Sequence, residues 1–246
     1  MTTGDRTWID AIDARLAAGA TVELPGEVAD GPVAVDRVAW GELWPFDGVL
    51  DTITRAEVAA VARSRDWPAL LRAVCVWGHG AAGYGPFRVR RLLGDRDVGA
   101  KLDAAVTVLR GDGAVGAYAA MLTGDARIPG FGPAFFTKFL AFSHPVVGIA
   151  NGHRALVVDR AVARTMVEAT AAVLCAAVLT PDGSDGVEPW PAALPLWRDP
   201  WPAHRYAVYL DWAAAVAERT GRTPEGLEIG AAELGRRLLR PTAVGT

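Results

Sequence analysis

The sequence predicts a mainly α-helical protein that begins with a short irregular or β-containing segment. Helical spacing of apolar residues recurs after residue 50, and several of these segments open with a capping residue. Hydrophobic residues make up 51% of the 246 residues, which is enough for a substantial core. Turn-forming residues interrupt the chain before residue 50. We therefore predict an N-terminal wrap over residues 1–50 and one globular helical unit over residues 51–246.

The N-terminal segment combines one helix with short extended pieces. Residues 5–18 have helical spacing, whereas residues 21–26 and 32–40 are predicted to be extended between turn residues. We expect three aromatic side chains to pack this segment onto the rest of the protein: Trp40, Trp44 and Phe46.

Capping residues locate the helices that follow. Thr54 and Glu57 form a capping box for a helix that ends near Arg65. Asp66 is the expected N-cap of the next helix, over residues 67–77. Further helices are predicted over residues 87–93, 97–108, 114–122, 134–142, 160–179 and 203–219, and from residue 224 toward the C-terminus.

Composition argues against several classes of protein. A formal net charge of −3 does not suit a protein that coats DNA, because non-specific binding neutralises many phosphates. The apolar run 169–179 is too short to span a bilayer, and residues 1–6 lack the pattern of a signal peptide. We expect a cytoplasmic, nucleoid-associated monomer. Cys75 and Cys175 form no metal or redox motif and are predicted to be buried free thiols.

Arginine residues gather in two parts of the sequence, whereas acidic residues gather in residues 182–188 and near the N-terminus. This asymmetry favours a DNA-binding face, although a solvated arginine-rich helix surface would give the same pattern. The two groups are Arg88, Arg90, Arg91 and Arg96, and Arg127, Arg154, Arg160 and Arg164.

A Gly-x-Gly turn at Gly130 and Gly132 joins two predicted helices. The two glycines allow positive φ twice, and the N-terminus of the second helix presents unpaired amides. Such amides bind phosphate, so the turn predicts contact with a nucleic-acid backbone. Pro133 fits the first turn of the second helix, where a missing N–H costs nothing.

Lysine is rare in this chain, which contains only Lys101 and Lys138. Arginine supplies the remaining basic charge, but only a lysine can lose its proton and act as an amine nucleophile. Phe135, Phe139 and Phe142 surround Lys138 in the sequence and would favour the neutral amine by desolvation. The alternative is a lysine that extends from the edge of a buried helix to solvent.

The hairpin, Lys138 on its second helix and the Val-Val-Asp sequence that ends at Asp159 resemble the helix-hairpin-helix DNA glycosylase superfamily, specifically its 8-oxoguanine DNA glycosylase branch. The resemblance covers roughly residues 67–234, with specific motifs in residues 127–164. It implies that Lys138 attacks C1′ of the damaged nucleoside and that Asp159 assists at the sugar. Asp159 is also a suitable helix N-cap, and both roles are compatible.

The lysine lies four residues beyond the common position of the superfamily, which corresponds to Ala134 here. Positions four apart share a helix face at about 5–6 Å between Cβ atoms. We expect the long side chain of Lys138 to span this offset.

The resemblance also implies residues that contact DNA. Those expected at the DNA backbone are Gly130, Phe131, Gly132, Thr137 and Arg160, with a possible monovalent cation at the carbonyls of Ile128 and Gly130. Those expected in the base pocket or in the space left by an extruded base are Trp77, His79, Tyr84, Phe142 and Trp212. A flexible turn for the loop with His79 and Tyr84, and a core position for Trp212, are the simpler alternatives.

The expected function is base excision of 8-oxoguanine from double-stranded DNA, with AP lyase activity and without a cofactor. No strand flanks the glycine-rich loop at residues 77–88, which argues against a mononucleotide cofactor, and no four-cysteine cluster suits an iron-sulfur centre. Two alternatives stay open: a non-catalytic protein of this fold that binds unusual DNA structures, and an enzyme that cleaves a nucleoside bond in a small molecule.

Overall fold

The computed structural model of the protein describes residues 3–20, 22–26, 30–48, 50–148, 152–178, 194–198 and 200–240. Its helices are α1 (Thr3–Ala17), α2 (Arg37–Trp40), α3 (Arg55–Arg63), α4 (Trp67–His79), α5 (Gly85–Leu93), α6 (Val98–Leu122), α7 (Pro133–Val147), α8 (Arg160–Val178), α9 (Ala203–Thr220) and α10 (Pro224–Leu239), with 3-10 turns at Gly41–Leu43 and Leu194–Trp197. Strands β1 (Val33–Ala34) and β2 (Thr52–Ile53) pair antiparallel. The mainly α-helical class with a short β-containing N-terminal part is confirmed.

The capping residues predicted for α3 and α4 are found at the N-termini of these helices. The Glu57 carboxylate accepts the backbone N–H of Thr54 at 2.7 Å, while the Thr54 hydroxyl accepts the amide of Ala56 at 3.2 Å. Asp66 accepts the amide of Ala69 at 2.9 Å. These bonds satisfy amides that the first turns of α3 and α4 leave unpaired.

The extended piece expected over residues 32–40 is a strand only at Val33–Ala34. Asp36 then caps α2, because its carboxylate accepts the amides of Val38 and Ala39 at 3.0 and 3.2 Å. The predicted extended conformation is therefore wrong for its last four residues. Trp40, at the end of α2, is buried, as expected.

Helix α7 continues beyond the predicted end at Phe142 to Val147, and Pro145 lies within it. A proline within a helix removes the hydrogen bond to the carbonyl four residues earlier and crowds that carbonyl, a cost that is confined here to the last turn. His144 holds this turn in place, because its Nδ1 accepts the amide of Ala155 at 3.0 Å. Ala155 is thereby tied to the end of α7.

The contacts of the chain form two compact units, one made of Met1–Val28 with Val158–Thr246 and the other of Ala29–Val157. The division at residue 50 was predicted from composition along the sequence, whereas the division into these two units is based on contacts between segments that are distant in the sequence. In the first unit α1 packs against α9, and α8 packs against α10.

Polar contacts support both packings in the first unit. Arg205 of α9 forms an ion pair with Asp13 of α1. The hydroxyl of Thr165 in α8 donates to the carbonyl of Ala231 in α10 at 2.6 Å. Since these partners lie far apart in the sequence, local patterns do not indicate their pairing.

Helix α7 is central to the second unit and packs against α3, α4 and α6. Its buried rings contact both neighbouring layers: Phe136 lies 5.1 Å from Tyr118 of α6, and Phe139 lies 6.1 Å from Trp67 of α4. This packing fixes the rotation of α7 and hence the direction in which Lys138 extends.

Candidate functional site

The turn between α6 and α7 forms the predicted hairpin. Ile128 and Phe131 are buried and anchor it, and the Phe131 amide donates to the Ile128 carbonyl at 3.0 Å. Gly130 has a φ of 86°, which only glycine adopts readily. Two buried side chains and one glycine therefore determine the path of the hairpin backbone.

Gly132 does not take the positive φ that the sequence suggested. Its dihedrals are φ −79° and ψ 173°, which are open to any residue, and it is the N-cap of α7. Its carbonyl accepts the amides of Phe135 and Phe136 at 2.9 and 3.0 Å. The expectation of two left-handed glycines is wrong, because Gly132 already starts the helix. Because Gly132 has no side chain, the N-terminus of α7 is left uncovered at this position.

The backbone amides of the hairpin differ in whether they donate a hydrogen bond within the protein backbone. The Phe131 amide is used within the turn, whereas those of Gly130 and Gly132 donate to no backbone carbonyl in the described part of the chain. These two amides precede the N-terminus of α7, where an anion is favoured. The carbonyls of Ile128 and Gly130 are hard oxygen donors, which suit the monovalent cation that the resemblance implies.

Lys138 lies in the interior of the second unit, with only 8% of its surface exposed. Its Nζ donates to the carbonyl of Ala134 at 2.8 Å. The side chain therefore reaches back one turn toward the hairpin, as side chains on a helix tend to do. The side chain of Lys138 thus brings its amine to the carbonyl of residue 134, four positions earlier.

Aromatic rings surround the Lys138 ammonium. Its Nζ lies 5.6 Å from the ring centre of Trp77 and 5.8 Å from that of Phe135. Phe142 packs edge to face on Trp77 at 5.5 Å. Two residues that the resemblance placed in the base pocket, Trp77 and Phe142, thus lie together beside the candidate nucleophile.

His79 belongs to the same group of side chains. Its ring stacks on Phe135 at 4.5 Å, and the guanidinium of Arg88 lies over the same phenyl ring at 5.7 Å. Burial lowers the pKa of His79, and the charges of Arg88 and Lys138 lower it further. The imidazole is therefore neutral at pH 7, which limits the positive charge near Lys138.

Arg55 was not identified from the sequence as a site residue. Its guanidinium lies 5.2 Å from the ring centre of Trp77 and 5.8 Å from that of Phe142. Its Nε donates to Asp30 at 2.6 Å. The sequence around Arg55 shows only the start of a helix, so no local signal indicates this contact.

Tyr84 lies at the surface, with 61% of its area exposed. Its ring is 5.4 Å from that of Phe87, which is 57% exposed. Both rings line a cavity of about 250 Å³ together with Arg88, Arg91, Leu92, Pro129 and Gly130. The loop that carries Tyr84 thus meets the hairpin, and two arginines from the predicted basic group border the cavity.

Asp159 belongs to the first unit and is the N-cap of α8. Its Oδ1 accepts the amides of Ala161 and Val162 at 2.9 and 3.1 Å. The N-cap interpretation of Asp159 is therefore confirmed. Arg160, the first residue of α8, is exposed.

Two further predicted site residues are fully buried. The hydroxyl of Thr137 donates to the carbonyl of Pro133 within α7 at 2.6 Å. In the first unit, Trp212 donates its Nε1–H to the carbonyl of Ala20 at 2.8 Å and stacks on Tyr209 at 6.2 Å. Both side chains have packing and hydrogen-bonding roles in the interior.

The two cysteines differ in their surroundings. Cys75 is buried, as predicted, and burial raises the pKa of its thiol to about 12, so it is not a thiolate nucleophile at neutral pH. Cys175 is exposed, so the prediction of a buried thiol is wrong there; its position falls outside the packed faces of α8. Among the described residues, no group of histidine, cysteine or acidic side chains has the arrangement of a metal site.

Within the described ranges, none of the helices is long and apolar enough to cross a membrane.

Comparison with known protein families gives a match over most of the chain. The sequence profile of the family described as "Putative 8-oxoguanine DNA glycosylase OGG-like protein" matches residues 26–231. No curated protein sequence and no solved structure matches the chain. The matched range contains the hairpin, Lys138 and the side chains around it. The chain therefore belongs to the 8-oxoguanine DNA glycosylase OGG-like family.

Proposed function

We propose that the protein is a DNA glycosylase that excises an oxidised purine, 8-oxoguanine, from double-stranded DNA, with Lys138 as the nucleophile. The observation that carries this proposal is the position of Lys138. Its amine is held among aromatic rings, one helical turn from the N-terminus that the hairpin presents. Family membership supports the same chemistry.

In the proposed reaction the damaged nucleotide leaves the base stack, because C1′ is not accessible within the duplex. The Lys138 amine attacks C1′, the bond from C1′ to N9 breaks, and the base leaves with its bonding electrons and takes up a proton. Opening of the sugar ring and loss of the amine proton give a Schiff base between Nζ and C1′. β-Elimination then removes a proton from C2′ and breaks the C3′–O3′ bond, and water releases the lysine.

Other residues would position the DNA. The amides of Gly130 and Gly132 would bind a backbone phosphate, a contact that orients the strand without reading its sequence. The carbonyls of Ile128 and Gly130 would hold a monovalent cation that adds positive charge at the same phosphate. The carboxylate of Asp159 would stabilise positive charge that develops on the sugar.

Covalent trapping tests this proposal. The protein is incubated with a duplex that contains 8-oxoguanine in the presence of borohydride, which reduces a Schiff base to a stable adduct. Lys138→Ala is compared with Lys101→Ala, the matched control, since these are the only two lysines in the chain. We expect the adduct with the wild type and with Lys101→Ala, and none with Lys138→Ala or with undamaged duplex.

Other outcomes contradict the proposal in distinct ways. An adduct that persists in Lys138→Ala would assign the chemistry to another amine, such as the N-terminus. Binding of the duplex without adduct or base release, with 8-oxoguanine and other oxidised purines, would favour a non-catalytic DNA-binding protein. Release of base from free nucleosides but not from duplex would favour an enzyme of small-molecule nucleosides.

A further inference from the structure

One face of α5 borders the cavity of about 250 Å³ beside the hairpin, which we call the α5 cavity. Tyr84 and Phe87 lie three residues apart at the start of this helix. Arg88 and Arg91 follow at the same spacing, so the four side chains project from one side of the helix. All four line the α5 cavity, which therefore combines aromatic rings with positive charge.

The two aromatic rings at the α5 cavity face solvent. Tyr84 is 61% and Phe87 is 57% exposed, and their ring centres lie 5.4 Å apart with an angle of 37° between the planes. No other phenylalanine, tyrosine or tryptophan whose side chain the structure describes is exposed to this extent. Exposed apolar side chains that lie together indicate a surface used for binding. A planar group stacked on these rings would cover apolar area that now contacts water.

The positive charge at the α5 cavity is not neutralised by the protein. Neither Arg88 nor Arg91 forms an ion pair in the described part of the chain, and no acidic side chain lines the cavity. Arg91 is exposed, whereas the guanidinium of Arg88 lies over the ring of Phe135 at 5.7 Å. Guanidinium groups match the geometry of phosphate oxygens, so these arginines suit a phosphorylated ligand.

The hairpin supplies the rest of the wall. Pro129 and Gly130 line the α5 cavity, and a Cβ at Gly130 would lie 3.6 Å from Cδ2 of Leu92, so the hairpin backbone packs on α5. The Gly130 amide donates to no backbone carbonyl among the described residues. Pockets that enclose a drug-sized ligand have about 300–1,000 Å³, so the α5 cavity has room for a single planar base.

We infer that the α5 cavity binds an unpaired nucleotide of single-stranded DNA. The base stacks on the rings of Tyr84 and Phe87, and the two arginines bind the phosphates that flank it. A base within a duplex is covered by its neighbours on both faces, so only an unpaired base can enter a cavity and offer a face to the rings. Aromatic side chains within a positively charged groove are the means by which proteins hold single strands. The inference goes beyond the proposed excision, because this nucleotide is not the one that Lys138 would attack.

Binding of an undamaged single strand tests the site without any excision. Fluorescence anisotropy measures the affinity for a labelled oligothymidine of about sixteen nucleotides and for an undamaged duplex of the same length. Phe87→Leu keeps an apolar side chain without a ring, and Phe87→Tyr keeps the ring. Arg91→Met removes a cation at the α5 cavity. Arg90→Met is its matched control, because Arg90 is exposed on the same helix but does not line the cavity.

We expect Phe87→Leu to bind the single strand roughly tenfold more weakly, as for the loss of one stacked base, and Phe87→Tyr to bind like the wild type. Phe87→Leu should bind the duplex within about twofold of the wild type, because paired bases offer no free face. Arg91→Met should reduce the slope of the logarithm of the binding constant against that of the salt concentration by about 0.7, the value for one phosphate contact to a single strand. Phe87→Leu and Arg90→Met should keep the slope of the wild type.

Several results would overturn the inference. The wild type could fail to bind oligothymidine, or Phe87→Leu could bind it with unchanged affinity. An equal loss of single-strand and duplex binding in Phe87→Leu would instead make the rings a wedge that inserts into paired DNA. Competition by thymidine monophosphate as effective as that by the oligonucleotide would assign the cavity to a free nucleotide.

Two controls keep the test decisive. If urea unfolding shows that Phe87→Leu folds poorly, the difference in salt slope between Arg91→Met and Arg90→Met still decides, and equal slopes would contradict the inference. Neither a lesion nor an adduct takes part in these measurements. Failure of the proposed excision appears separately, as a wild-type protein that forms no trapped adduct on 8-oxoguanine duplex.

Discussion

The phenyl ring of Phe135 lies directly against Gly78 of α4. A Cβ at Gly78 would lie 2.7 Å from Cε1 of this ring, which is far closer than side-chain atoms normally approach. The same ring stacks on His79 and lies 5.8 Å from the Nζ of Lys138. The absence of a side chain at Gly78 therefore determines the position of the Phe135 ring beside Lys138.

Gly78→Ala should displace Phe135 and slow adduct formation by Lys138. Alanine favours a helix by up to about 1 kcal/mol over glycine, but the overlap with the ring should cost about 1–3 kcal/mol. Gly99→Ala in α6 is the control, since nothing lies within 4 Å of a Cβ there. Urea unfolding measures the free energy of unfolding, and the rate of covalent trapping measures adduct formation. If Gly78→Ala raised the free energy of unfolding as much as Gly99→Ala does and left the trapping rate unchanged, Phe135 would not be constrained by Gly78.

The two hairpin glycines should respond differently to alanine. Gly130→Ala places a side chain at φ 86°, which should cost about 1–2 kcal/mol and weaken duplex binding as the hairpin shifts. Gly132→Ala has an ordinary φ of −79° and open space around its Cβ, so the free energy of unfolding should stay within about 0.5 kcal/mol. Thermal unfolding and fluorescence anisotropy with a labelled duplex test the pair. Equal destabilisation by both changes would contradict the assigned backbone geometry.

His144 should make the protein less stable at mildly acidic pH. Burial, followed by the charge of Arg154, lowers the pKa of His144 to about 4 from its usual value near 6.5. The unfolded state therefore binds the proton first, so stability is full above about pH 6.5 and falls as the pH decreases toward 4. Each pKa unit corresponds to about 1.4 kcal/mol, so we expect a loss of about 3 kcal/mol over this range.

Asparagine at position 144 provides the test, because its amide oxygen can accept the Ala155 amide in place of Nδ1 without titrating. Denaturant unfolding between pH 7 and pH 4 should show a smaller loss of stability in His144→Asn than in the wild type. His204→Gln, at an exposed position, is the control and should follow the wild type. Identical pH profiles for the wild type and His144→Asn would exclude His144 as the source.

The ion pair of Asp13 and Arg205 should contribute far more to stability than pairs at the surface. Arg205 is 3% exposed and also lies 5.6 Å from the ring of Trp197, so Asp13→Ala leaves a buried charge without its partner. We expect a loss of about 3–5 kcal/mol. Glu233→Ala, which removes two pairs to arginines that are 47% and 58% exposed, should cost less than about 1 kcal/mol. Chemical denaturation measures the free energy of unfolding of both variants. A similarly small loss in Asp13→Ala and Glu233→Ala would contradict the burial of the Arg205 charge.

Local sequence patterns are sufficient to predict most of the helices, the hairpin and the candidate nucleophile. A capping box or an N-cap aspartate acts within four residues, so Thr54, Asp66 and Asp159 indicate helix starts wherever the chain folds. The scarcity of lysine in an arginine-rich chain and the place of Lys138 on the helix after the hairpin likewise make Lys138 a candidate from sequence alone.

The side chains that surround Lys138 could not be predicted from local patterns, because they come from segments that are distant in the sequence. Arg55 and Asp30 lie on segments separated from Trp77 and from each other by more than twenty residues of sequence, and no periodicity links them. The same holds for α1 and α9, which residue composition assigned to different parts of the protein. The exposure of Cys175 also depended on how α8 packs within its unit. Local capping is encoded over one helical turn, whereas burial and cation–ring contacts depend on packing between distant segments.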